Sequence, residues 1–304
     1  MPTSFLPALS ALRAAAEPTR LRLLALLARA ELTVGEICEV IGQSQPRVSR
    51  HLKLLCDVGL LDRLREQHWV YYRAPASDAE RSTVQQLLAM VHEDDDLLRR
   101  DRKRMEQVIR ERARRAADQL PAESRIAASS AVDSIILSEL ANEPIGVLLD
   151  VGTGSGHLLG LLGAHATRAV GIDISSDALR LARTNVHGAG LSHCELQRGD
   201  MYDLPFAGPL FDTVTVDRIL ATAQRPAAAL SEIARTLKNG GRAVVIEDFD
   251  ALSAAGAANP IATLREWFAR AGLECARLRP LDTENAHLLV ALARRPIVDT
   301  RQSA

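Results

Sequence analysis

The segment Leu149-Asp150-Val151-Gly152-Thr153-Gly154-Ser155-Gly156 limits what this chain can fold into more than any other stretch. An apolar run enters a loop with glycine at every second position, and a helical pattern begins near His157. Such glycines let the backbone turn sharply and approach a ligand closely, with main-chain N–H groups presented at a helix start. From Ile145 onward the short apolar runs GVLLDVG, RAVGIDI, FDTVTV and GRAVVIED alternate with helical segments. That β–α–β–α order predicts an α/β fold, a Rossmann-like doubly wound parallel sheet. A nicotinamide-binding loop of the form G-x-G-x-x-G would place its third glycine at position 157, where His157 stands.

A chain of 304 residues suits two modest domains. The net charge of -1 hides an uneven distribution: residues 1–75 hold 10 Lys and Arg against 7 Asp and Glu, and residues 126–304 hold 16 against 20. A basic surplus confined to the N-terminal part fits phosphate contact there. No apolar stretch is long enough to cross a bilayer, and the first residues lack the pattern of a signal peptide. The four cysteines, Cys38, Cys56, Cys194 and Cys275, form no C-x-x-C pair, which suits a reducing cytoplasm.

Three parts are expected: an N-terminal domain over 1–75, a helical linker or dimerisation segment over 76–125, and a ligand-binding domain over 126–304. Within the first, Phe5–Ala16 and the leucine-rich stretch after Pro18 read as helices. Thr33 with Glu36 has the form of a capping box opening a third helix, which stops at Gly42. Ser44, Pro46 and Gly59 bracket a fourth, with Val48, Leu52 and Leu55 as its inward stripe. LLDRLREQHWVYYRA then reads as a β-hairpin turning near Glu66–His68. In the middle segment Val84, Val91, Leu98 and Met105 recur every seven residues. This is either a seam that pairs with a twin helix or a charged linker packed on one domain.

The D-x-G-x-G-x-G form resembles motif I of the class I S-adenosylmethionine-dependent methyltransferases, and the resemblance extends over about residues 130–295. It implies that Asp150, Gly152, Thr153, Gly154 and Gly156 hold the methionyl part of S-adenosylmethionine or its demethylated product S-adenosylhomocysteine. Asp173, about 20 residues after the loop in GIDIS, is implied to accept the ribose hydroxyls, with Ile174 beside it. In RGDMYDLPF, Asp200 is implied to bond the adenine amino group, with Met201 next to it; Asp217, which ends the fourth strand in FDTVTVDRIL, is implied to belong to the same cofactor-binding set. Many relatives carry a histidine-rich stretch after that strand. Here Ile219-Leu220-Ala221-Thr222 follows instead, so no catalytic residue is assigned.

LTVGEICEVIGQSQPRVSRHLKLLCDVGLLDRLREQHWVYYRA resembles the winged helix-turn-helix of the ArsR/SmtB repressors, over about residues 5–75. Gln45 and Ser49 on the recognition helix can hydrogen-bond base edges, and Arg47 and Arg50 can reach guanine or phosphate. Arg65 or Arg73 on the wing could touch phosphate. The resemblance implies a homodimer on double-stranded DNA with a palindromic operator. The C-x-C pair of arsenic-sensing members is absent: Thr33 and Gly35 occupy those positions. Cys38 reads as a small core residue, and His92 sits in a solvated charge run, so no metal is expected.

Together these features predict a cytoplasmic transcription regulator, a repressor whose C-terminal domain senses S-adenosylmethionine or S-adenosylhomocysteine, with methionine or methyl-cycle genes as implied targets. The alternative is an active small-molecule methyltransferase regulated by its winged helix, since methyl transfer depends on alignment more than on a base. An arsenite methyltransferase needs several converging cysteines, and this domain has only Cys194 and Cys275.

Overall fold

The computed structural model describes residues 5–66, 69–75, 78–92, 95–119, 130–191, 193–283 and 286–297. The chain divides into two compact units, residues 1–119 with 183–192, and residues 120–182 with 193–304.

The first unit begins with α1 (Phe5–Ala15) and α2 (Pro18–Leu27), followed by β1 (Leu32–Thr33), α3 (Val34–Ile41) and α4 (Gln45–Asp57). Glu17 caps α2 by accepting the Arg20 N–H, and Pro18 fills the first turn, where a missing N–H costs nothing. Thr33 and Glu36 form the reciprocal capping box at the start of α3. Gly42 ends that helix at φ 68°, a left-handed conformation suited to glycine. Ser44 occupies the N-cap position of α4 without a side-chain cap bond. The wing is β2 (Asp62–Glu66) and β3 (Trp69–Arg73), with β1 paired to the other edge of β3 to give the order β1-β3-β2. The hairpin turn expected near Glu66–His68 falls at residues 67–68, outside the described residues.

Leu23, Leu24, Ile37, Val48, Leu52 and Leu55 are fully buried at the centre of this unit. Each buried aliphatic side chain of this size contributes about 1.5–3 kcal/mol. Two further helices, α5 (Asp78–Leu88) and α6 (Asp96–Gln119), pack on the same core through Val84, Leu87, Met105, Val108 and Ile109. Of the positions spaced by seven, Val84 and Met105 are therefore buried in this unit's own core, and Val91 and Leu98 are half-buried. α6 is fastened by Asp101, whose carboxylate accepts two bonds from Arg22 on α2, at 2.6 and 2.8 Å.

A buried ionic cluster lies in the same unit. Glu31 accepts from Arg183 Nε at 2.6 Å and from Arg73 Nη1 at 3.1 Å. The Arg183 guanidinium also stacks 4.1 Å from the Tyr71 ring centre. Burial would raise the Glu31 carboxyl, but Arg183, Arg73 and His187 outweigh it and leave it below its ordinary value. His187 is pushed down to about 4, mainly by burial, and its Nδ1 accepts the Glu31 N–H at 3.3 Å.

The second unit holds α7 (Ser130–Leu140), β4 (Val147–Val151), α8 (His157–Gly163), β5 (Arg168–Asp173) and α9 (Ser176–Gly188), the last part of α9 being counted with the first unit. It continues with β6 (Cys194–Arg198), β7 (Phe211–Asp217), α10 (Pro226–Thr236), β8 (Leu237–Asp248), α11 (Phe249–Ala254), α12 (Pro260–Arg270), β9 (Glu274–Asp282) and β10 (His287–Arg294). The sheet runs β6-β5-β4-β7-β8-β10-β9. The first five strands in that order are parallel, as the sequence pattern foresees; β10 pairs antiparallel with both β8 and β9, a closing edge that the pattern does not foresee. The order reverses at β4, so a crevice opens between the carboxyl ends of β4 and β7. No helix among the described residues is long and apolar enough to cross a membrane.

Candidate functional site

The glycine loop leaves β4 at the switch point of the sheet. Gly152, Gly154 and Gly156 have φ of 71°, 52° and 78°, a region that side chains with a Cβ rarely adopt. The Gly152 and Thr153 N–H groups both donate to the Ile172 carbonyl at the end of β5, at 2.8 and 2.9 Å. The Gly154 N–H donates to Asp173 Oδ2 at 2.9 Å, and Asp173 Oδ1 accepts the Ser175 N–H at 2.8 Å. Loop and acidic strand end are thus brought together as one cradle. At position 157, His157 Nε2 lies 2.8 Å from Asp133 Oδ1, tying α8 to α7.

The expected ligand residues do not all have the same surroundings. Asp150 is buried and turned inward: the Thr153 and Thr215 hydroxyls donate to its two oxygens at 2.6 and 2.7 Å. Burial pushes its carboxyl up to about 6 against the pull of those hydroxyls, with Asp217 and Asp173 adding to the rise. Thr153 is buried beside it. Asp173 is half-buried and Ile174 is 61% exposed. Asp200 is exposed after β6, its Oδ1 accepting the Tyr202 N–H at 2.9 Å, with Met201 half-buried. Asp217 ends β7 and takes both bonds of a fork from Arg218, at 2.7 and 2.8 Å. All of these lie at the carboxyl edge of the parallel strands, where the topology opens its crevice.

Sequence reasoning did not reach Glu247. It is fully buried one residue from the end of β8, and its carboxylate accepts the Leu220 N–H at 2.6 Å. The only signal was a charged pair, Glu247-Asp248, closing the apolar run Ala243–Ile246. Nor did it single out Arg218 for its backbone, which alone among the described non-glycine residues has a positive φ, 52°.

In the first unit, α4 displays Gln45, Arg47 and Arg50 exposed and Ser49 half-exposed, while Val48, Leu52 and Leu55 face the core. Arg65 is exposed on β2. Arg73 is placed differently, its guanidinium turned to buried Glu31 and 3.9 Å from Asp62, so of Arg65 and Arg73 it is Arg65 that is exposed. The thiols are all raised by burial, Cys56 to about 11 and Cys194 to about 12.

Comparison with known proteins matches residues 17–63 to the family described as "Bacterial regulatory protein, arsR family" and residues 149–245 to that described as "Methyltransferase domain". The two matched segments are separate along the chain, an arsR-type helix-turn-helix match in the N-terminal part and a methyltransferase-domain match in the C-terminal part. The chain is 42% identical over 71 residues to an arsenical resistance operon repressor of Escherichia coli, covering 23% of this chain and 61% of that protein. A phosphatidylethanolamine N-methyltransferase of Cereibacter sphaeroides is 35% identical over 105 residues, covering 34% of this chain and 51% of that one. A demethylmenaquinone methyltransferase of Clavibacter sepedonicus is 35% identical over 100 residues, covering 33% and 40%. The chain thus spans between 40% and 61% of the length of these three relatives.

Proposed function

We propose that this chain is a DNA-binding transcription regulator, a repressor, whose methyltransferase domain binds S-adenosylmethionine or S-adenosylhomocysteine and thereby sets the affinity for its operator. The observation that carries the DNA reading is the exposed row on α4. Gln45, Arg47 and Arg50 stand in solvent on a helix whose opposite stripe is fully buried. That is the arrangement by which a recognition helix reaches base edges and phosphates in a major groove. Two copies on a palindromic operator in the cytoplasm complete this reading, which the likeness to an operon repressor supports.

The cradle fits an adenosyl group on its own chemistry. Three glycines in left-handed conformations let the loop backbone approach a ligand, and a Cβ at Gly154 would meet only the Gly152 carbonyl, at 3.8 Å. Loop residues 152–156 would hold the methionyl part, Asp173 the ribose hydroxyls, and Asp200 with Met201 the adenine. When bound, S-adenosylmethionine supplies a sulfonium-activated methyl group. This chain's own residues bind and orient: Asp173 joins the glycine loop to the end of β5, and the Asp217–Arg218 pair lines the end of β7. Methionine and methyl-cycle genes are the proposed targets.

Coupling requires that the ligand prefer one of two states of the DNA-binding dimer. Fluorescence anisotropy of full-length protein on a DNA fragment from its own upstream region, with and without each adenosyl ligand, tests this. A change in operator affinity of about 5-fold or more is expected. Unchanged affinity with both ligands would remove the sensor and favour the second reading, an active methyltransferase, for which the likeness to an N-methyltransferase speaks. Turnover with a defined acceptor would establish that reading.

A further inference from the structure

β8 is apolar and buried along its second half, and yet Glu247 sits in it with no exposure at all. Burying a carboxylate costs several kcal/mol unless it is well bonded. Here the hydrogen bonds come from main chain: the Leu220 N–H at 2.6 Å and the Ala221 N–H at 3.4 Å. Both donors belong to the segment that leaves β7, where Arg218 takes its left-handed turn. The same segment is fixed again by the Arg218 N–H on the Ile246 carbonyl at 2.8 Å and by the fork of Arg218 on Asp217. Ile219, between these anchors, is carried against the glycine loop: its side-chain methyls lie 2.9 Å from where a Cβ on Gly152 would stand. That contact is possible only because residue 152 is glycine.

We infer that Glu247 is a positioning residue, its ionised carboxylate clamping residues 218–222 so that Ile219 braces Gly152 and fixes the glycine loop for adenosyl binding. This rests on the adenosyl reading above. A carboxylate placed for packing alone would be replaceable by an isosteric amide, but the clamp is not. An ionised carboxylate accepts at both oxygens, whereas a glutamine or a protonated carboxyl presents a donor to one of two N–H groups.

The clamp is also set to respond near neutral pH. Burial pushes the Glu247 carboxyl up to about 7, against the Leu220, Ala221 and Ile219 N–H groups that favour its charged form. Asp217 at the end of β7 adds to the rise, and Arg218 beside it is drawn to the charge. Asp248 follows on the same strand and Asp250 lies in the first turn of α11; across the antiparallel pair Glu247 faces apolar Leu289 on β10. Above pH 7 the carboxylate is ionised and the clamp is made; below it the clamp loosens.

The test compares full-length wild type with Glu247→Gln by titration calorimetry with S-adenosylhomocysteine at pH 6, 7 and 8. It is paired with hydrogen exchange of residues 218–222 without ligand and with Tm. Wild type is expected to bind about 5- to 10-fold more weakly at pH 6 than at pH 8. The variant is expected to bind at the weaker level at every pH, to lose protection at Leu220 and Ala221, and to keep or raise its Tm. Equal affinity, an unchanged pH profile and intact amide protection in the variant would overturn the inference. If wild type binds no adenosyl ligand while the variant still loses protection, the adenosyl reading and the role toward it both fall, and only a loop clamp survives. Unchanged protection would refute the clamp whichever ligand binds.

Discussion

Arg183 has no exposed surface, lies against the Tyr71 ring and is bonded through Nε to Glu31, which in turn takes Arg73 from the wing. Charges this deep are stabilising only as a set: the desolvation of each is offset by its partners, and deleting one member leaves the others carrying the full cost. Glu31→Ala is therefore expected to destabilise the first unit by about 3–5 kcal/mol in urea unfolding. Glu36→Ala, whose carboxylate reaches Arg112 Nη1 only at 3.4 Å and is partly exposed, should cost much less beyond its share of the capping box. Equal losses for the two would show that burial does not set the energetics here. None of this was legible in the sequence. Glu31 and Arg183 are 152 positions apart, and no local pattern marks either as buried. The wing arginine illustrates the same limit, since Arg65 and Arg73 look alike until Glu31 is placed beside one of them.

At the scale of elements the sequence was a better guide, because periodicity and capping are local. The Thr33–Glu36 box, the Gly42 stop and the Val48, Leu52, Leu55 stripe all reappear as α3 and α4. The apolar runs reappear as β4, β5, β7 and β8. The loop from β7 to α10 was not readable, because its shape depends on a bond from Glu247 on another strand. For α4, the buried stripe fixes which side chains stand outward, and this gives a prediction that separates two kinds of contact. Arg47→Ala and Arg50→Ala should each weaken operator binding by about 1–3 kcal/mol. A replacement that removes a phosphate contact should lower the salt slope by about 1 and weaken all sequences alike, while Gln45→Ala should relax discrimination at one base position. Anisotropy titrations over a range of salt concentrations on operator and scrambled DNA read both. If neither arginine variant weakens binding, α4 is not the recognition helix.

Across the whole molecule, the strongly shifted groups give the two units opposite responses to acid. His187, counted with the first unit, is lowered from 6.5 to about 4. Its unfolded form takes a proton below 6.5 while the folded form does not, so the first unit loses stability as pH falls from 6.5 toward 4. In the second unit, burial raises Glu247 from 4.5 to about 7 and Asp150 from 3.8 to about 6. Those folded carboxyls hold protons that the unfolded chain releases until about 4.5 and 3.8, so the second unit gains stability as pH falls through 7 and 6. Between pH 8 and pH 5.5 the shifts correspond to about 2 kcal/mol gained through Glu247 and about 1 kcal/mol lost through His187. Native-state hydrogen exchange at the two pH values, corrected for intrinsic rates, should show amides of β5 and β7 more protected at pH 5.5 and those of α2 and α3 less protected. His187→Asn should flatten the response of the first unit alone, and Glu247→Gln should remove most of the gain in the second. Parallel responses of the two units in wild type would refute this assignment of buried charge. An acid-stabilised second unit would mean that Glu247 is held for its place beside the glycine loop, since at pH 8 its charge opposes the fold that contains it.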